Sequence, residues 1–302
     1  MDVSVVIVNY KTSELTHNVV QSIFEMTKDV SFEIIIVDNS NDKIEFSKLS
    51  DLKNKATIID ARSNLGFGKG NNLGAKFASG EFLLFLNSDT ILLNDAISTM
   101  YKEAKGFCAD IVGPNIFTKD KKPNISYEFK QKTIFRDTTL LFCLLKRFSS
   151  NYYFNHKNKN MFIPGYISGA CLMIQKHLFE NLGGFNEKIF MYAEESLLCF
   201  EAVKNYSAKI MNVPNAKIIH LEGQSFNTNK ARIERFIEGN YLYYFYAFNS
   251  RIALKYLKKA VSFYRKKEFF AKILNRNKAK LFVIYKECYI NKYESIKGEQ
   301  NE

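Results

Sequence analysis

The strongest constraint on the fold is a unit that recurs through the first hundred residues: a short apolar run that stops at a polar cluster. Residues 3–8 (VSVVIV), 32–37 (FEIIIV), 57–60 (TIID) and 82–86 (FLLFL) are each brief and rich in β-branched or aromatic side chains. Near-continuous apolar runs of this length predict strands buried on both faces of a mostly parallel sheet. Thr12 and Ser13 are N-cap candidates for a helix running to about Met26, with Leu15, Val19, Val20, Ile23 and Phe24 at helical spacing. Residues 70–78 predict a second helix. The β-α-β-α-β order implies an open, doubly wound α/β sheet with right-handed crossovers.

In such sheets ligands sit beyond the carboxyl ends of the strands. Asn9-Tyr10, Asp38-Asn39, Arg62-Ser63-Asn64 and Asn87-Ser88-Asp89 all fall at those ends, which predicts one shared pocket rather than four surface loops.

Farther along, residues 119–162 are rich in Lys, Asn and Phe with poor periodicity, and read as a long insertion. Residues 165–174 resume regular structure, followed by a helix over 194–205 and a strand over 217–220. From Ala231 the chain reads as helical, aromatic over 241–248 and basic over 251–280. The expected organisation is a domain over 1–228, with halves 1–100 and 101–228, and a basic, aromatic helical tail over 229–302.

The formal charge of +12 belongs mainly to that tail: residues 1–100 are net −4, 101–228 net +6 and 229–302 net +10. The longest apolar run, residues 140–145, is far short of the ~20 residues that span a bilayer. Asp2 and the lack of a small-residue cleavage site argue against a signal peptide. Cys108, Cys143, Cys171, Cys199 and Cys288 are scattered and include no C-x-x-C pair, which fits small buried hydrophobes in a reducing cytoplasm better than a disulfide framework or zinc site.

Four features carry chemistry. The stretch NLGFGKGNNLG (64–74) has Asn71 where a dinucleotide fingerprint has its third glycine, and it lacks G-K-[ST]. Its glycines suit either backbone amides approaching a diphosphate or a tight loop with positive φ. Asp89, at a strand end, suits a divalent cation or the N-cap of the next helix. Glu194 and Glu195 are adjacent, hence ~100° apart on a helix, and suit either acid–base chemistry or the helix dipole. His220 stands in a polar strand-end context, as a ligand or as a structural histidine.

The ordered set SVVIVNY (4–10), VDNS (37–40), NLGFGKGNNLG (64–74), FLNSDT (85–90), GGFNEKIFMYAEE (183–195) and HLEGQS (220–225) resembles the family-2 glycosyltransferases, in particular their rhamnosyltransferase-like branch. The resemblance implies a GT-A fold, a nucleotide-sugar half followed by an acceptor half, and transfer with inversion. It implies that Asn9, Tyr10 and Asp38 meet the nucleotide, with Tyr10 and Asp38 on a pyrimidine base. Asn64, Gly66, Gly70 and Asn71 would lie beside ribose, diphosphate and sugar. Asp89 corresponds to the metal-binding aspartate of a D-x-D motif whose first position is Asn87, and His220 to a residue at the metal or diphosphate. The implied cofactor is Mg²⁺ or Mn²⁺. Glu195, with Glu194 beside it, stands where the family pattern E-D-x-D-L has its general base, and Leu197 replaces the second aspartate. Glu195 adds one methylene of reach, which leaves open reduced activity, an altered acceptor or none.

The implied partners are a UDP- or dTDP-sugar donor, rhamnose among the sugars, and an oligosaccharide or polyprenyl-diphosphate-linked acceptor in surface polysaccharide synthesis. The implied place is the cytoplasm, peripheral at the inner face of the membrane. Lys258, Lys259, Arg265, Lys266, Lys267 and Lys272, interleaved with Tyr256, Phe263, Tyr264, Phe269 and Phe270, suit an interfacial helix on anionic lipid. The same stretch also suits a solvated face packed on the catalytic domain. Two rival readings are a degenerate, non-catalytic scaffold and a nucleic-acid-binding protein using the tail. The acidic first hundred residues and the absence of a recognised motif disfavour the latter.

Overall fold

The computed structural model describes residues 1–139, 160–163, 165–221, 230–274 and 276–299. Cys143, the apolar run 140–145, residues 140–159 of the expected insertion and residues 222–225 of the HLEGQS motif lie outside the described residues.

The strands are β1 Val3–Asn9, β2 Phe32–Asp38, β3 Thr57–Asp60, β4 Phe82–Leu86, β5 Thr90–Leu92, β6 Ile111–Phe117, β7 Tyr127–Glu128, β8 Met161–Ile163, β9 Tyr166–Ile167, β10 Cys171–Gln175 and β11 Ile210–His220. The helices are α1 Ser13–Met26, α2 Lys43–Ser47, α3 Phe67–Ala75, α4 Ala96–Phe107, α5 Ile134–Thr138, α6 Lys176–Asn181, α7 Glu194–Tyr206, α8 Lys230–Ala247, α9 Ser250–Leu274 and α10 Arg276–Glu299. The large sheet runs β3-β2-β1-β4-β10-β6-β11-β5, with β8 against β11. Its first four strands are parallel, as expected. Beyond them β10 runs antiparallel to β4 and β6, and β5 antiparallel to β11.

Burial on both faces explains the continuous apolar runs. Val3, Val5 and Ile7 of β1 share a core with Val19, Val20 and Ile23 of α1. The alternate residues face α3 so closely that a Cβ on Gly74 would lie 2.4 Å from Val6 Cγ1. Each fully buried aliphatic side chain contributes ~1.5–3 kcal/mol of transfer free energy, so this strand is fixed from both sides.

Two elements differ from the sequence expectation. α3 starts three residues earlier than read, at Phe67, because Gly66, with φ +80°, already caps it. β11 is eleven residues long rather than four. Its pairing with β6 breaks between Val213 and Lys217, where β6 advances only from Pro114 to Asn115. Asn94 grips this bulge from both sides, its Nδ2 donating to Asn215 O at 2.6 Å and its Oδ1 accepting from Lys217 N at 3.0 Å.

The chain divides into two compact units, Met1–Gln131 with Lys157–Phe190 and Glu194–Ser225, and Lys132–His156 with Met191–Ala193 and Phe226–Glu302. The second unit has a tyrosine core. Tyr256 and Tyr289 join hydroxyl to hydroxyl at 2.8 Å, Tyr244 donates to Asp137 Oδ2 at 2.8 Å, and Tyr264 stacks on Tyr285 at 4.8 Å. Tyr256 and Phe263, read from sequence as interfacial, are therefore interior, whereas Phe269 and Phe270 are exposed. Cys171, Cys199 and Cys288 are buried as expected, but Cys108 is exposed at the left-handed C-cap of α4. No helix among the described residues is long and apolar enough to cross a membrane.

Candidate active site

Parallel register sets the first part of the site. Asn9 and Asp38 are the last pair of the β1–β2 ladder, and Asn9 Nδ2 donates to Asp38 Oδ1 at 2.7 Å. Ser40 Oγ donates to Asp38 Oδ2 at 2.6 Å, while Asn9 Oδ1 accepts from Thr12 N, Thr12 Oγ1 and Thr16 Oγ1. Asn9 and Asp38 are thus fully buried braces of the strand ends, and Tyr10 beside them is 37% exposed.

The glycine loop closes against this brace. Asn64 Oδ1 accepts from Gly66 N at 3.1 Å, and Asn39 Nδ2 donates to Gly66 O at 2.9 Å. A Cβ at Gly66 would lie 2.2 Å from Phe190 O, and one at Gly70 would lie 3.0 Å from Asn39 Nδ2, so both glycines permit backbone approach. Gly66 also takes positive φ, whereas Gly68 and Gly70 do not. The positive φ at Gly66 thus bears out the tight-loop role, and the close packing at Gly66 and Gly70 adds a second need for glycine. Asn71 is buried, its Nδ2 donating to Phe67 O at 3.1 Å.

At the end of β4 the polar residues converge. Because β11 pairs with β5 with His220 opposite Thr90, His220 Nε2 lies 3.1 Å from Asp89 Oδ1 and 3.3 Å from Asn87 Nδ2. Asn87 N donates to Ala170 O at 3.0 Å, which ties this group to the segment before β10. Gly169 in that segment packs beside Glu195: a Cβ there would make ordinary contact, 3.6 Å from Glu195 Cγ and 3.7 Å from the Phe67 ring. A chain of contacts thus runs from Asp89 and His220 through Asn87 and the Gly169–Ala170 segment to Glu195 and the start of α3.

Asp89 and His220 bring one carboxylate and one imidazole together just beyond the end of β4. That donor set fits a divalent cation whose remaining positions go to water and phosphate oxygens. Among the described residues no group of three His, Cys, Asp or Glu side chains could enclose a metal by itself.

The two glutamates at the start of α7 differ sharply. Glu194 is buried, its Oε2 has no hydrogen-bond partner among the described residues, and burial, reinforced by the Glu195 charge, holds its carboxyl well above the usual carboxylate range. Glu195 is half-buried, with Ser196 Oγ 3.4 Å from its Oε1. Leu197, which stands where the family pattern has a second aspartate, is wholly buried. Just before the pair, Tyr192 (φ +74°) and Ala193 (φ +72°) both take positive φ. Such backbone costs on the order of 1–3 kcal/mol per residue and concentrates at functional sites.

Sequence reasoning did not single out four supports. Asn39 holds the glycine loop, and Thr12 Oγ1 lies 2.9 Å from Ser88 Oγ across two strand ends. Asn72 clamps Phe185, its Nδ2 donating to Phe185 O and its Oδ1 accepting from Phe185 N, each at 2.8 Å, and Gly169 packs against Glu195. Asn39 and Ser88 carried a signal as members of the polar clusters, Thr12 as an N-cap candidate and Asn72 as part of the 64–74 stretch.

A family model described as Glycosyl transferase family 2 matches residues 4–183. The chain is similar to the low-salt glycan biosynthesis hexosyltransferase Agl10 of Haloferax volcanii, 30% identical over 207 residues, 67% of this chain and 61% of that protein. It is also similar to the GalNAc(5)-diNAcBac-PP-undecaprenol beta-1,3-glucosyltransferase of Campylobacter jejuni, 26% identical over 218 residues, 67% of this chain and 63% of the relative. The matches thus span about three fifths of these relatives' length. A crystal structure of GalNAc-T7 with UDP, GalNAc and Mn²⁺ shares the fold, with a TM-score of 0.59 at 15% identity over 81% of this chain and 50% of that one. The sheet order, the strand-end site and these likenesses together make the chain a GT-A-fold member of glycosyl transferase family 2.

Proposed function

We propose that the chain transfers a sugar, with inversion, from a pyrimidine nucleoside-diphosphate sugar (UDP- or dTDP-linked) to an oligosaccharide or polyprenyl-diphosphate-linked acceptor in glycan synthesis. The observation that carries the reading is the Asp89–His220 pair at the end of β4, linked through Asn87 and Ala170 to Gly169, which packs beside Glu195.

In this reading Glu195 takes the proton from the attacking acceptor hydroxyl, a role that needs a carboxylate within reach of the acceptor. Glu194, whose carboxyl burial holds well above the usual carboxylate range, is a positioning residue behind it. Tyr10 offers its exposed ring to the base, with Asn9 and Asp38 holding the strand ends below. Asn64, Gly66, Gly70 and Asn71 shape the loop and the amide end of α3 for the diphosphate. Asp89 and His220, with Asn87 beside them, would hold Mg²⁺ or Mn²⁺, which when bound offsets negative charge on the departing diphosphate. The acceptor reading draws on the undecaprenol-linked glycan in the name of the Campylobacter relative, and with it goes action at the cytoplasmic face of a membrane.

The test is release of nucleoside diphosphate from a panel of UDP- and dTDP-sugars with Mn²⁺ and lipid-linked acceptors. Turnover abolished by Glu195→Gln is the expected result. The absence of release with every donor, together with the absence of any donor-induced thermal shift, overturns the reading in favour of a non-catalytic scaffold, which the loss of the second aspartate to Leu197 would suit.

A further inference from the structure

α9 is a 25-residue helix with two dissimilar sides. Ala253, Tyr256, Leu257, Ala260 and Phe263 are buried in the helical unit. The outward side carries Arg251, Lys255, Lys258, Lys259, Arg265 and Lys266, then Phe269, Phe270 and Ile273, all exposed. At 3.6 residues per turn these nine positions fall within an arc of about 140° and extend over ~33 Å of helix axis. The arc contains no acidic residue. Glu268 lies off it, engaged by Lys272 and Lys286 at 2.7 Å each. Among the described residues none of the six outward cations enters an ion pair, so no described carboxylate compensates their charge.

Phe269, Phe270 and Ile273 are 62%, 49% and 67% exposed, clustered at one end of the stripe. Three large apolar side chains at that exposure are costly in water unless something covers them. At the other end Arg251, Lys255 and Lys258 line a cavity of about 580 Å³ together with Tyr293 of α10. A row of cations with an apolar tip matches the layering of an anionic bilayer, phosphates outermost and acyl chains beneath. Nucleic acid would be served by the cations but gives no account of an exposed isoleucine.

We propose that this outward side of α9 docks the chain on an anionic lipid bilayer, with the cations on headgroup phosphates and Phe269, Phe270 and Ile273 entering the interface. The choice of occupant rests on the membrane-associated reading above. The surface differs from the sequence expectation, because Tyr256 and Phe263 belong to the interior and Ile273 and Arg251 belong to the stripe.

The chain contains no tryptophan, so Ile273→Trp creates a unique reporter. With the full chain, phosphatidylcholine vesicles containing phosphatidylglycerol are expected to blue-shift its emission, and phosphatidylcholine alone to leave it unchanged. In cosedimentation, the Phe269→Ser/Phe270→Ser/Ile273→Ser and Arg265→Glu/Lys266→Glu variants are each expected to lose about tenfold or more of the partitioning. Lys297→Glu, exposed on α10, serves as the control and is expected to bind as the parent does. No shift at residue 273, or partitioning unchanged in both variants, overturns the proposal. So does a single-stranded oligonucleotide that shifts the reporter as strongly as vesicles do. Donor-induced thermal shifts on the same preparations keep the failures apart. Donor binding without vesicle binding removes only this surface, and vesicle binding without donor binding removes only the glycosyltransfer reading.

Discussion

His220 Nε2 stands 3.1 Å from Asp89 Oδ1, although 131 positions separate the two residues in sequence. The contact exists because β5 and β11 run antiparallel with Thr90 opposite His220. A carboxylate and an imidazole from different halves of the chain therefore meet at one strand end.

That meeting predicts shared dependence on a divalent cation. Asp89→Ala and His220→Ala should each lower turnover by about 10–100-fold, and the double variant should cost less than the product, since both act on one site. Manganese titration in the presence of nucleoside diphosphate, followed by thermal shift, should show a stabilisation in the parent that Asp89→Ala loses. Removal of divalent cations by a chelator should reproduce the loss of turnover.

Glu195→Gln keeps the shape but cannot accept a proton. It should lower kcat by ~10²–10⁴ while leaving the donor KM little changed. Glu195→Asp should retain part of the rate. Parent-like turnover in Glu195→Gln would remove the residue from the base role.

Two glycines separate clash from strain. Gly66→Ala meets both positive φ and a Cβ 2.2 Å from Phe190 O, whereas Gly183→Ala meets positive φ (+76°) with nothing within 4 Å. Urea unfolding should show a loss of about 1 kcal/mol for Gly183→Ala and about 2 kcal/mol or more for Gly66→Ala.

Glu194 gives the protein a pH dependence of known sign. Its folded carboxyl is raised well above 4.5 by burial first and the Glu195 charge second. The unfolded chain therefore releases this proton at lower pH than the folded one does. The associated stability is complete below about pH 4.5 and is lost as pH rises toward the folded value. Glu194→Gln should thus flatten the curve, with its advantage over the parent larger at pH 8 than at pH 5 in urea titrations.

The strands of the nucleotide half were legible because burial on both faces leaves an unbroken apolar run, and β3 and β4 match the expected residues. The carboxyl-end polar clusters were legible for the same reason: Asn9, Asp38, Asn87 and Asp89 interrupt those runs. The roles of Asn72 and Gly169 were not, since Asn72 acts on Phe185, 113 positions away, and Gly169 acts by packing against Glu195 and Phe67 from a separate segment. The exposure of α9 was misread at Tyr256 and Phe263 because aromatic residues satisfy an interface and a tyrosine-rich interior equally well in sequence.

The bulge in β11 has a consequence for how this site can change. Through it Asn215 and Lys217 face solvent while Ala216 and Ile218 are buried, so side chains alternate over 215–218 before the buried Ile219 and the half-buried His220. Removing one residue from the stretch 214–216 would exchange those faces and turn the imidazole away from Asp89. The chemistry at position 220 therefore depends on backbone arithmetic upstream as much as on the histidine itself. Single-residue deletions in the bulge should inactivate the protein even though every residue assigned to the site is still present.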